Sequence, residues 1–377
     1  MSRDAVIVEA VRTPVGKRGG GLAPVHPADL TALVLTALAD RTGLDPAVVD
    51  DVIWGCVSQS GEQTGNIART GVLAAGWPES VPATTVDRQC GSSQQSLHFA
   101  AAGLIAGHYD VVVAGGVESM SRVPMFSSAA GQDPLGPRYH QRYGEGGPNQ
   151  GIGAEMMADR WHLSRTQLDE FALTSHERAA AAQDSGRFEA QIVPVGDVTT
   201  DEGIRRGGTL EALAGLKTPF RADGVISAGN ASQISDGAAA LLMTTTDRAR
   251  ELGLTPVARV RATALAGADP VIMLTAPIPA TQKVLQRSGL RLDEIGAYEV
   301  NEAFAPVPLA WLAEFGADPK LLNPNGGAIA LGHPLGASGA RLLTTLVHHL
   351  RDHGIRYGLQ TMCEGGGTAN ATILELL

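Results

Sequence analysis

Lysine is scarce in this chain: Lys17, Lys217, Lys283 and Lys320 are its whole complement in 377 residues. With a formal net charge of −10, that scarcity argues against a nucleic-acid-binding surface. It leaves arginine, backbone amides and hydroxyls to hold any anionic ligand. Cysteine is sparse too. Cys56, Cys90 and Cys363 are odd in number and far apart, so they form no disulfide framework. Without a CxxC or CxxH pair, no metal site is expected. Reduced, intracellular thiols fit this usage. No apolar run is long enough to span a bilayer, and no signal or transit peptide precedes the first strand, so the expected location is the cytoplasm, with no membrane partner.

What the chain has in quantity is glycine, 46 residues of it, which implies close backbone packing and many tight turns. Hydrophobic content of 44% and charged content of 18% describe a folded globular protein, and the length suggests two or three domains.

One stretch stands out. An extended run over residues 80–86 breaks at Asp87-Arg88-Gln89-Cys90-Gly91-Ser92-Ser93, and a small-residue helix is predicted over 91–106. Cys90 then lies at a helix N-terminus, where free N–H groups and the helix dipole favour the thiolate. On this stretch alone, a buried cysteine packed as a small hydrophobe is the competing reading. Cys56, inside the apolar strand 51–57, is read as packing only.

Strands at 5–10, 51–57, 110–116 and 239–243 alternate with helices at 26–39 and 66–75, the mark of an α/β layer architecture. Between them the texture changes. Residues 119–151 read as loop, with Pro124, Pro134, Pro137 and Pro148. Helices follow at 153–161 and 164–185, then an extended piece at 191–201 and a basic turn, Arg205-Arg206-Gly207-Gly208. A long excursion of this kind is usually functional, and residues 117–232 are expected to lie over the active site.

The second half repeats the first. Residues 42–55 resemble 288–301, and 87–92 align with 333–338 at the same offset of 246. After four inserted residues, Gly115-Gly116 aligns with Gly365-Gly366. This favours a duplicated domain with equivalent helix N-termini converging on one cleft. The expected division is 1–116 plus 233–254, an inserted loop domain at 117–232, and a second half at 255–377.

Cys90-Gly91-Ser92, Gly229-Asn230-Ala231-Ser232, Asn301-Glu302-Ala303-Phe304, Gly332-His333-Pro334 and Cys363-Glu364-Gly365 occur in that order along the chain. Together they resemble the thiolase family, the acetyl-CoA acetyltransferases and 3-ketoacyl-CoA thiolases. The resemblance implies a five-layered α/β/α/β/α sandwich built from two duplicated halves, with a loop domain inserted in the first. It implies coenzyme A as co-substrate, no permanently bound cofactor, and a homodimer or homotetramer.

A thiolate is a strong nucleophile and a good leaving group, suited to an acyl-thioester intermediate. His333 can take the Cys90 proton, and Cys363, with a pKa able to approach neutrality, can protonate an enolate. In keeping with the family, the N–H groups of Cys90 and Gly365 form one oxyanion hole, and Asn301, through a held water, forms the other with His333. By the same resemblance, Ser232 contacts the pantetheine arm and Arg205 the adenine nucleotide. His26, His98, His108, His140, His348, His349 and His353 are read as turn residues.

One departure bears on the substrate. Acetoacetyl-CoA enzymes of the family carry His-Met-Gly where this chain has Asn149-Gln150-Gly151. Gln150, with Phe304, is therefore expected in the acyl pocket, and the nucleophile motif resembles degradative members acting on ring or branched acyl chains. A catabolic thiolase for lipid- or steroid-derived acyl groups is the expectation. A biosynthetic acetyl-CoA acetyltransferase shares every catalytic residue. A decarboxylating ketoacyl synthase lacks the second cysteine, and a non-catalytic acyl-CoA- or sterol-binding relative commonly loses a catalytic residue.

Overall fold

A computed structural model describes residues 3–144 and 149–377; Pro148 of the expected loop and the first two residues fall outside that range. The first half runs β1 (Val6–Arg12), β2 (Gly16–Lys17), α1 (Pro27–Thr42), β3 (Asp51–Gly55), α2 (Ile67–Ala74), β4 (Ala83–Val86), α3 (Ser92–Ala106) and β5 (Val111–Ser119). The excursion carries α4 (Pro137–Tyr143), α5 (Gln150–Arg160), α6 (Arg165–Asp184) and α7 (Leu210–Ala214), and the chain returns through β6 (Ser235–Thr244) and α8 (Thr246–Glu251). The second half runs β7 (Ala258–Gly267), α9 (Pro277–Ser288), β8 (Ala297–Val300), α10 (Pro306–Phe315), α11 (Ala328–Leu331), α12 (Leu335–His353), β9 (Tyr357–Glu364) and β10 (Thr368–Leu376).

Local chemistry sets several boundaries. The His26 ring accepts from the Ala28 N–H at 3.1 Å and Pro27 opens α1, which Gly43 ends in the left-handed region. Ser164 and Gln167 close a capping box on α6. The segment 191–201, expected to be extended, forms only isolated bridges among turns. Its polar groups are instead tied to β1: the Gln191 carbonyl accepts from the Arg12 N–H, and Asp201 holds the Arg12 guanidinium. His98, His348 and His349 are buried helical residues, and His140 and His353 also lie in helices, rather than in turns.

The strand order is β4-β3-β5-β6-β1-β7-β10-β9-β8. It reads as two half-sheets meeting where β1 pairs with β7, at Val6–Arg259 and Ile7–Ala258. Each half contains an equivalent parallel pair: Val52 lies beside Val113 and Tyr298 beside Leu359. That register equates β5 with β9 at the offset of 246, so Gly115-Gly116 corresponds to Thr361-Met362. The sequence alignment of these glycines with Gly365-Gly366 is thereby corrected. The chain after β9 turns through Gly365–Gly367 into β10, whereas β5 runs on into the excursion.

Helices α3 and α12 lie between the half-sheets, α1 and α2 cover the outer face of the first, and α9 covers that of the second. These are the five layers. Ile53, Leu97, Leu104, Leu343, Leu346 and Leu350 fill the middle one. The central helices cross at backbone contact, since a Cβ on Gly339 would collide with the Gln94 N–H. At their starts, Ser93 Oγ accepts from the Ala340 N–H at 2.9 Å. The N-termini of α3 and α12 therefore open on the same region. Among the described residues, no helix is long and apolar enough to cross a membrane.

Candidate active site

Cys90 stands at a sharp strand-to-helix turn. Asp87 Oδ1 accepts from the Gln89 N–H at 2.6 Å, and Gln89 takes a left-handed φ of 47°, uncommon for a side chain of its size. Ser92 Oγ closes the turn by donating to the Gln89 carbonyl and accepting from the Arg88 N–H. This presents the sulfur at the head of α3, beside Met120, Leu335, Leu342 and Met362. The backbone N–H groups of Cys90 and Gly365 are both directed at it.

The helix start does not leave the thiol ionised. Burial pushes Cys90 up to about 12, with the nearby Glu364 and Glu118 carboxyls acting in the same sense, against the two backbone N–H groups. Cys363, on β9, is also buried and lies close enough to Cys90 for the two thiols to perturb one another. Burial holds it well above the ordinary thiol range. The expectations of a thiolate at Cys90 and a near-neutral Cys363 are both corrected for the free enzyme: desolvation outweighs the helix dipole, so ionisation requires a base.

His333 is built to be that base. Ser338 Oγ donates to the Pro334 carbonyl at 2.8 Å, which commits its only proton. With that proton so placed, the 2.6 Å contact between Ser338 Oγ and His333 Nδ1 is donated by the ring, and the lone pair lies on Nε2. Asn301 Nδ2 lies 3.4 Å from that nitrogen. Burial first, then the Arg341 charge, lowers the imidazole to about 3, so it is neutral across the physiological range. Among the described residues no hydrogen bond joins Nε2 to the Cys90 thiol. Such contacts often tighten only when substrate binds.

The Ser232–Ser235 segment supports this corner. Ser235 Oγ and the Gln233 carbonyl accept from the His333 N–H, and the Ser232 N–H donates to the Ala303 carbonyl at 2.9 Å. Phe304 pairs with Ala231 and meets Phe220 edge to face, with centroids 6.2 Å apart. Phe220 in turn lies flat against Gly151, leaving no room for a Cβ there, and so brings the start of α5 with Gln150 to the same side. Asn149 Oδ1 fixes that start by accepting from the Gly151 and Ile152 N–H groups. Arg205 lines a groove of about 390 Å³ along α6 with His176 and Asp184.

Three residues that sequence reasoning passed over organise the site. Ser338 sets the His333 tautomer. Glu118 accepts from the Val57, Ser58 and Gly336 N–H groups and from Gln63, tying the loop after β3 to the start of α12. Glu302 accepts from Ser175, Asn323 and the Ile329 N–H, clamping α6 to the second half. Each is a buried carboxylate or hydroxyl beside a recognised motif, which is the available signal. Among the described residues, no group of three or more His, Cys, Asp or Glu side chains is arranged to hold a metal ion.

Residues 5–247 match the thiolase N-terminal domain and residues 254–376 the thiolase C-terminal domain. A steroid 3-ketoacyl-CoA thiolase of Mycobacterium tuberculosis is 52% identical, over 99% of this chain and 94% of that protein. The 3-oxoadipyl-CoA/3-oxo-5,6-dehydrosuberyl-CoA thiolase of Escherichia coli is 46% identical, over 99% of both chains. The crystal structure of the Bacillus anthracis acetyl-CoA acetyltransferase superposes with a TM-score of 0.92 at 37% identity, covering 100% of this chain and 99% of that one. The chain belongs to the thiolase family, as an acyltransferase that uses coenzyme A in thiolytic cleavage of 3-ketoacyl-CoA.

Proposed function

We infer that the protein is a catabolic thiolase for bulky 3-ketoacyl-CoA substrates, including steroid-derived ones, with Cys90 as nucleophile. The observation that carries the residue roles is the 2.6 Å contact of His333 Nδ1 with Ser338 Oγ, beside Asn301 and near two neighbouring buried thiols. His333 Nε2 removes the Cys90 proton as the sulfur attacks the 3-keto carbon. The tetrahedral oxyanion is received by the Cys90 and Gly365 N–H groups, which point at the sulfur. Collapse breaks the carbon–carbon bond and releases the enolate of acetyl-CoA, or of propionyl-CoA. Asn301 and His333 stabilise that enolate, and the Cys363 proton quenches it. The Cys363 thiolate then deprotonates incoming CoA, whose sulfur attacks the acyl carbon, and Cys90 departs as a thiolate that recovers its proton from His333.

Ser232 is assigned to the pantetheine arm because its segment supports His333. Arg205 is assigned to the adenine nucleotide, two residues beyond Gly203, whose carbonyl accepts from Gln233 Nε2 of that segment at 2.9 Å. Gln150 and Phe304 shape the acyl end. The division at 117–232 and 255 follows the excursion and the repeated half. A homodimer or homotetramer in the cytoplasm completes the reading.

The substrate class is supported by Gln150 standing where acetoacetyl-CoA enzymes of the family carry Met, and by the similarity to thiolases named for steroid and 3-oxoadipyl substrates. The test is mass spectrometry of the acyl group trapped on Cys90 after incubation with a panel of 3-ketoacyl-CoAs, with steady-state kinetics on the same panel. Ring-bearing or long acyl groups should accumulate and give the higher kcat/KM. A clear preference for acetoacetyl-CoA would replace this reading with the biosynthetic one.

A further inference from the structure

Glu364 follows Cys363 directly in sequence and lies near both thiols, and its chemistry is unassigned in the cycle above. It ends β9, directly after Cys363, and its side chain is fully buried. The carboxyl reaches across to Gly91, the residue after Cys90, where any Cβ would collide with it. Oε2 accepts from Thr368 Oγ1 at 2.8 Å. Oε1 has no partner.

The opposing group has the same defect. Asn370 Oδ1 is buried and unpartnered, and lies 3.0 Å from that same Gly91 Cβ position. Asn370 Nδ2 is committed to Gln95 Oε1 and His98 Nδ1, each at 3.2 Å, which turns Oδ1 toward Glu364. Both unpartnered acceptors border the Gly91 Cβ position, and each costs free energy unless it gains a donor, which one shared proton would supply to both. No cation forms an ion pair with Glu364 among the described residues. The groups around it are Asp87, Arg88 and Cys90 from the turn, Gln95 and His98 from α3, Cys363 from β9, and Thr368 and Asn370 from the hairpin and β10.

We propose that Glu364 is a positioning residue held as a neutral acid, donating Oε1–H to Asn370 Oδ1 and so keeping negative charge away from the Cys90 and Cys363 sulfurs. Loss of that proton to solvent at alkaline pH leaves a carboxylate beside both sulfurs and opposes thiolate formation. Burial raises this carboxyl to about 8, so the loss falls within an accessible range. The competing arrangement flips the Asn370 and Gln95 amides and leaves Glu364 ionised at neutral pH.

The proposal rests on Cys90 and Cys363 being the reacting thiols, and its test needs no turnover, so the two can fail separately. Iodoacetamide labelling of the full-length enzyme is followed by peptide mass spectrometry from pH 6 to 9.5, with Cys56 as the internal control. Glu364→Gln should label at Cys90 like the wild type at the acid end. It should exceed the wild type by roughly tenfold at the alkaline end, one pK unit of thiol shift being about tenfold in thiolate. Thr368→Val, at a half-buried hairpin position, should move the wild-type break to higher pH by removing a donor that favours the ionised form. A tenfold excess for Glu364→Gln already at pH 6.5, or a Thr368→Val profile without displacement, means the carboxyl is ionised throughout and overturns the proposal.

Discussion

The Nδ1 atom of His333 lies 2.6 Å from Ser338 Oγ, five residues further along the same helix start, and the serine proton is already given to the Pro334 carbonyl. One hydroxyl therefore decides which imidazole nitrogen is available as a base. Ser338→Ala removes that decision without disturbing the fold, because the side chain is small and local. The expected result is a kcat lowered by roughly ten- to a hundredfold with KM little changed. Ser338→Thr, which keeps the hydroxyl, should recover most of the loss. Equal kinetics for the wild type and the alanine variant would show that the tautomer is set elsewhere.

Cys363→Ala separates the two half-reactions. Acylation of Cys90 by a simple acyl-CoA produces no enolate, so an acyl adduct should still be seen by intact mass. Carbon–carbon cleavage needs the missing proton donor and should fall by about a thousandfold, within the usual range for a positioned acid. Cys90→Ala should lose both. A Cys363→Ala enzyme that cleaves 3-ketoacyl-CoA at near wild-type rate would remove this cysteine from the chemistry.

Much of this was readable in the amino-acid order, and the misreadings have physical causes. The turn before α3 announced itself because small residues follow Cys90 without interruption. The repeat was legible at 52 and 298 because both halves keep the same spacing between equivalent strands. Gly115-Gly116 and Gly365-Gly366 look alike for different reasons. The first pair admits the Trp54 ring and the Gly336 carbonyl to the sheet, whereas Gly366 turns a hairpin at φ 80°. Composition cannot distinguish close approach from left-handed backbone. The thiol states were missed because helix position is visible in sequence and burial is not. Ser338 was missed because its partner is reached through a proline turn rather than a helical spacing.

The crossing of α3 and α12 gives a stability prediction independent of the chemistry. Gly339 faces backbone, not a flexible side-chain end, at the Gln94 N–H. In Gly339→Ala the added methyl can be accommodated only by parting the helices that fill the middle layer. A loss of about 3 kcal/mol in urea unfolding is expected, at the upper end for one added carbon in a packed core. A loss below about 0.5 kcal/mol, the range of neutral surface changes, would mean that the two helices separate freely.

Buried titratable groups set the pH dependence of stability, with two opposed signs. His98 and His333 are lowered to about 3 and His176, His348 and His349 to about 4, in each case chiefly by burial. An unfolded histidine takes up a proton near pH 6.5 that these folded ones refuse. Their contribution is present above that pH and is lost as pH falls toward 4. Glu299 and Glu364 are raised to about 8, again by burial, and Glu118 and Glu302 move the same way. These carboxyls ionise in the unfolded chain near pH 4.5. Their contribution is present below that pH and is lost as pH rises toward 8. The two sets oppose each other between 4.5 and 6.5, and the five imidazoles outweigh the two strongly displaced carboxyls. Thermal unfolding should therefore show a maximum Tm near about pH 6 to 7, with the acid side steeper than the alkaline side. Glu364→Gln should flatten the alkaline side specifically. A Tm that climbs without a break from pH 6 to 9 would contradict the sign assigned to both carboxyls, and an acid limb unaffected by His98→Gln would remove one of the two most displaced imidazoles from the account.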